Sequence, residues 1–65
     1  MMSIRYEYGT IVELIYIDQQ ENLSQRKALI LSKRNDRLIA YCYTKQGIRS
    51  FLLNNILGMR KVNVS

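Results

Sequence analysis

The chain contains no histidine, no proline and no tryptophan, and only one cysteine, Cys42. Without histidine the commonest general acid–base group is missing, and so is any Ser-His or Cys-His nucleophile pair. One thiol cannot close a disulfide, and one thiol without imidazoles cannot hold a structural zinc ion. Gly9, Gly47 and Gly58 stand apart, so no glycine-rich phosphate loop is present. The acids Glu13 and Asp18 form no convincing catalytic pair. These absences point to a binding protein rather than an enzyme, with no cofactor and no metal. No proline or low-complexity tract marks a linker, and residues 1–65 read as one domain. The longest apolar runs, such as Leu14-Ile15-Tyr16-Ile17, are far too short to cross a bilayer. The opening Met1-Met2-Ser3-Ile4-Arg5 lacks the apolar stretch of a secretion signal. A lone thiol fits a reducing compartment, and the expected location is the cytoplasm.

Acids are also absent from one half of the chain. Up to Asp36, five acids (Glu7, Glu13, Asp18, Glu21, Asp36) balance five bases (Arg5, Arg26, Lys27, Lys33, Arg34). Beyond it only Arg37, Lys45, Arg49, Arg60 and Lys61 are charged, so the net charge of +5 lies in the C-terminal half. That asymmetry is either an electrostatic footprint for a polyanion or a solvated face that keeps a small domain soluble.

What is abundant is strand-forming sequence. Residues 11–17, Ile-Val-Glu-Leu-Ile-Tyr-Ile, are almost wholly β-branched or aromatic. Turn chemistry follows at Asp18–Asn22, and a second strand is predicted over about Gln25–Leu31. After Ser32–Asp36 a third strand is predicted over Arg37–Thr44. Lys45-Gln46-Gly47 reads as a three-residue hairpin loop, with glycine in the left-handed position. A fourth strand over Ile48–Leu53, a short helical turn over Asn54–Gly58 and a last strand near Met59–Val64 complete the reading. Residues 1–9 fit either a strand or a helical face. Five short antiparallel strands in so short a chain predict a mostly β fold: a small closed barrel, preceded by a short helical or irregular segment.

The predicted hairpin sets Thr44 against Ile48, Tyr43 against Arg49, Tyr41 against Phe51 and Ile39 against Leu53. One face then carries Ile39, Tyr41, Phe51 and Leu53 as the core. The other carries Leu38, Ala40, Cys42, Ile48, Ser50 and Leu52, too apolar to face water. So thin a core predicts self-association through Leu38, Ile48 and Leu52. Cys42 reads as a buried packing residue. Arg49, opposite Tyr43, is either a cation over a ring that still offers donors to an anion, or a clamp on loop carbonyls.

The stretch Leu38-Ile-Ala-Tyr-Cys42, a turn, then Ile48-Arg-Ser-Phe-Leu-Leu-Asn-Asn-Ile56 resembles the C-terminal half of the WYL domain. That family's pattern is Trp-Tyr-Leu-x-Ala-Tyr-Cys, a loop, then Arg-x-Phe-Arg-Leu-Asp-Arg-Ile. Val12–Tyr16 and Gln25–Ala28 look like its first two strands, so the likeness spans about residues 11–57. It implies a small Sm-like barrel, found with DNA-binding helix-turn-helix modules in bacterial transcription regulators that sense nucleic acid or nucleotides. Matching positions are Arg26, Tyr41, Arg49, Phe51 and Leu53. The signature Trp and Tyr are Asp36 and Arg37 here, two motif arginines are Leu52 and Asn55, and the motif Asp is Asn54. With the charge and aromatic pattern, the expected ligand-binding set is Arg26, Arg37, Tyr41, Tyr43 and Arg49, with nucleic acid or a nucleotide as partner.

Overall fold

The computed structural model describes residues 8–62. Five strands, β1 (Ile11–Ile17), β2 (Leu23–Arg34), β3 (Arg37–Cys42), β4 (Gly47–Leu52) and β5 (Ile56–Lys61), form one antiparallel sheet in the order β4-β3-β2-β1-β5. A single 3₁₀ turn over Leu53–Asn55 joins β4 to β5. The fold is mostly β, as expected, but the sheet is not closed: β4 and β5 are its two edges. The helical or irregular segment expected at the N-terminus falls largely on residues 1–7, outside the described residues.

The sheet is nonetheless strongly curled. Strands β1 and β4 are three steps apart, about 14 Å in a flat sheet. Yet the Tyr16 ring on β1 meets Phe51 on β4 edge to face at 5.1 Å between centroids. A bulge at Leu31 shifts the β2–β3 register between Ile30 and Ser32, which lets the 12-residue β2 bend. The backbone N–H of Leu52 donates to Tyr16 Oη at 3.2 Å. That bond ties the free edge of β4 to β1 without a ladder.

The concave face holds the core: Val12, Leu14, Ala28, Ile30, Leu38, Ala40, Cys42, Phe51 and Ile56. Tyr16, Leu53 and Met59 pack against it, half-buried. This corrects the predicted faces. The β3–β4 turn spans four residues, Tyr43–Gln46, and Gln46 takes the left-handed conformation expected of Gly47. Leu38 therefore pairs with Phe51, Ala40 with Arg49 and Cys42 with Gly47. The slip relative to the predicted pairing is odd in number, so it exchanges the faces of β3 relative to Phe51. Leu38 and Ala40 point inward, while Ile39 and Tyr41 lie on the convex side. Leu38, buried in the core, is thus unavailable to the predicted self-association face.

Two other turns show why the chain reverses where it does. Asp18 Oδ1 accepts the backbone N–H groups of Gln20 at 2.8 Å and Asn22 at 2.9 Å, folding the β1–β2 connection on itself. Asn35, at a φ of 51°, turns β2 into β3, a conformation asparagine tolerates better than most residues.

Candidate cationic cleft beside the free edge

Arg26 enters the site from β2. It pairs with Leu14, which turns its side chain to the concave side near the sheet's open margin. Its Nε donates to Ser24 Oγ at 3.1 Å, and a guanidinium nitrogen lies 3.9 Å from Cys42 Sγ. Arg49 reaches the same margin from β4, across from Ala40. Together with Lys45 from the turn before β4, these two arginines line a cleft of about 330 Å³. Tyr16, Ser50 and Phe51 complete its wall, and Asp18 is its one acid. Arg26, Lys45 and Arg49 against Asp18 leave two unbalanced positive charges at the mouth of a half-enclosed groove.

The Asp18 carboxyl is held below its ordinary value, first by the Asn22 N–H, against an opposing effect of desolvation, and further by the Gln20 N–H, the Asn22 side chain and the Arg26 charge. It is therefore an anion throughout the neutral range, already committed to its own turn. Cys42 has no exposed surface, yet it lies directly under the β3–β4 turn. Burial pushes its thiol up, but the Lys45 N–H, the Arg26 side chain and the Thr44 N–H together outweigh this and lower it overall. Arg26 thus spans between a buried sulfur and the cleft.

The predicted set of site residues is divided by the fold. Arg26 and Arg49 come together, although 22 residues lie between them in sequence. Arg37 opens β3 opposite Leu52, with a guanidinium nitrogen 3.4 Å from Ser50 Oγ. It lines an adjoining cleft with Tyr16, Asp18, Gln19, Gln20 and Leu52. Tyr41 and Tyr43 pack edge to face on each other at 5.2 Å, with Tyr41 on the convex side. Tyr43 does not oppose Arg49, because it stands in the turn, where its N–H donates to the Lys27 carbonyl. The aromatic neighbours of the cations are instead Tyr16 and Phe51. Lys45 and Tyr16 were not singled out by sequence. The basic half of the chain hinted at Lys45, whereas Tyr16 looked like any aromatic in a strand.

A second cationic surface lies on the far side. Arg60 donates to Glu13 Oε1 through Nε at 2.9 Å and a terminal nitrogen at 2.6 Å, with Lys27 and Lys61 beside them. Its arginine is 78% exposed, so the pair contributes little to stability. Among the described residues no helix is long and apolar enough to cross a membrane.

No family model and no curated protein matches the chain. Among solved structures it is similar to proteasome accessory factor B/C (PafBC) of Arthrobacter aurescens, at a TM-score of 0.72 and 26% sequence identity. The match covers 82% of this chain and 9% of that one, so this chain corresponds to a small part of the larger protein. The similarity supports a WYL-like fold for the curled five-stranded sheet.

Proposed function

We propose that this chain is a non-enzymatic, WYL-type regulatory module that binds an anionic ligand, a nucleic acid or nucleotide, in the cleft of Arg26, Lys45 and Arg49. The observation that carries the reading is the convergence of three cations from β2, the turn and β4 on one groove with two aromatic rings. Phosphate oxygens suit the fork of an arginine, and Tyr16 offers a ring on which a base can stack. The structural neighbour PafBC is a transcription regulator containing a WYL domain, which supports a regulatory role. Closure into an Sm-like barrel would bring the free edge of β4 to the free edge of β5.

The test is fluorescence anisotropy of a labelled short oligothymidylate at low and moderate salt, with ATP as competitor. Binding that weakens steeply with salt and is reduced in Arg49→Ala supports the reading. Absence of binding at micromolar protein, or binding indifferent to salt, overturns it.

A second reading is favoured by one apolar row. Ile11, Leu29, Tyr41 and Ile48 are in register across β1 to β4 on the convex face, and Ile48 is 67% exposed. Self-association would use this row, with Ile48 and Leu52 from the predicted set and without Leu38. Ile48→Glu should then give a monomer by sedimentation, and an unchanged oligomer argues against the row.

A further inference from the structure

The geometry points to strand addition at the free edge of β4, with an extended acidic peptide as the occupant. This goes beyond anion binding in the cleft, because it rests on backbone groups that a phosphate does not need.

The direction of those groups follows from three hydrogen bonds. The N–H of Leu53 donates to the Asp36 carbonyl at 2.8 Å, toward β3, while the N–H of Leu52 donates to Tyr16 Oη, away from it. The N–H of Tyr43 points to β2 through the Lys27 carbonyl. Backbone groups alternate along a strand, so Gly47, Arg49 and Phe51 bond to β3. Ile48, Ser50 and Leu52 therefore turn their N–H and C=O outward. Tyr16 satisfies the Leu52 N–H, and the pairs on Ile48 and Ser50 have no ladder partner among the described residues. Both residues are exposed. An unpaired row of this kind is a template for another strand.

Charge selects the occupant. Arg49 and Lys45 border this edge on the concave side, and Arg37 reaches Ser50 on the other. A second copy of this chain could offer its other edge, β5, but β5 carries Arg60 and Lys61 and no acid. Pairing β5 with β4 would set like charges side by side, which disfavours it. A peptide alternating acidic and apolar residues fits both sides. Its acids would lie on the face of Arg49 and Lys45, and its apolar residues on the face of Ile48 and Tyr41.

The experiment uses a fluorescein-labelled peptide of alternating Glu and Val, read by anisotropy and by amide spectra of the labelled protein. The expected result is saturable binding, with new protection of the Ile48 and Ser50 amides from exchange. N-methylation of the peptide's edge-facing amides should weaken binding about tenfold or more, the effect of losing two hydrogen bonds. Ile48→Pro, which removes an outward N–H that an edge strand can spare, should do the same, while Ile48→Thr should not. Oligothymidylate binding should be unaffected by Ile48→Pro, which separates this inference from the cleft reading. Failure of the peptide to bind, or equal binding by its N-methylated form, would overturn strand addition. Protection of both amides in the free protein that grows with its concentration would assign the edge to a second copy instead.

Discussion

Replacing Leu38 by alanine removes three carbons from a side chain that is 1% exposed and faces Phe51 across the β3–β4 ladder. The loss combines the transfer free energy of those carbons with the cavity they leave. Leucine-to-alanine changes at such sites cost about 2–5 kcal/mol. The curled sheet has backbone on both sides of this position and little freedom to collapse, which argues for the middle of that range. A domain of this size holds roughly 3–10 kcal/mol in total, so the variant should remain folded but fragile. Each kcal/mol moves the melting temperature of so small a domain by roughly 4–8 °C, which puts the shift at about 12–25 °C. The neighbouring Ile39 is the control, since it is only half-buried and lies on the convex face. Ile39→Ala should cost less than half as much. Far-UV circular dichroism in urea reads both variants without a tryptophan. Equal losses, or a larger loss at Ile39, would refute the face assignment and the four-residue turn behind it.

Tyr16→Phe keeps the ring against Phe51 but leaves the Leu52 N–H without its acceptor, and thermal melts should show a loss of about 1 kcal/mol. Gln46→Gly relieves a left-handed residue at a φ of 55°, and a net gain of up to about 1 kcal/mol is expected after the added freedom of glycine in the unfolded chain. Asp18 has a folded-state value below its ordinary 3.8, so its contribution to stability is present above that value and lost as pH falls through the lowered one. Acid titration of Asp18→Asn, which keeps the acceptor without the charge, should show a weaker loss below pH 3.8 than the parent chain does.

The strands were legible in the sequence because β-branched and aromatic residues crowd them, and β1 falls over the predicted residues 11–17. The register was not legible. Leu38, Ile39, Ala40, Tyr41 and Cys42 are apolar on both faces, so alternation gave no preference for either side. Only the turn could decide, and glycine's readiness for positive φ pointed to Gly47 when Gln46 bears it. A further physical clue was the size pattern. The inside of a tightly curled sheet has little room, so Ala28, Ala40 and Cys42 occupy it and Tyr41 stays outside. Closure was over-read for a related reason. Five strands suffice to curl the sheet, but β4 and β5 do not pair, and at the end of β4 the Leu52 N–H is taken by the Tyr16 hydroxyl instead. At the candidate site, arginine identity was legible at Arg26 and Arg49, and their meeting was not, because it depends on the curl that brings β4 toward β1. The aromatic partners went to the wrong face together with the register.

The salt dependence of oligothymidylate binding tests the central claim most directly. Each single-strand phosphate contact contributes about −0.7 to the slope of log affinity against log salt. Three cations in one cleft predict a slope near −2, falling to about −1.4 in Arg49→Ala, with weaker binding at every salt concentration. A slope near zero, or one that Arg49→Ala leaves unchanged, would contradict the assignment of the Arg26, Lys45 and Arg49 cleft as an anion site.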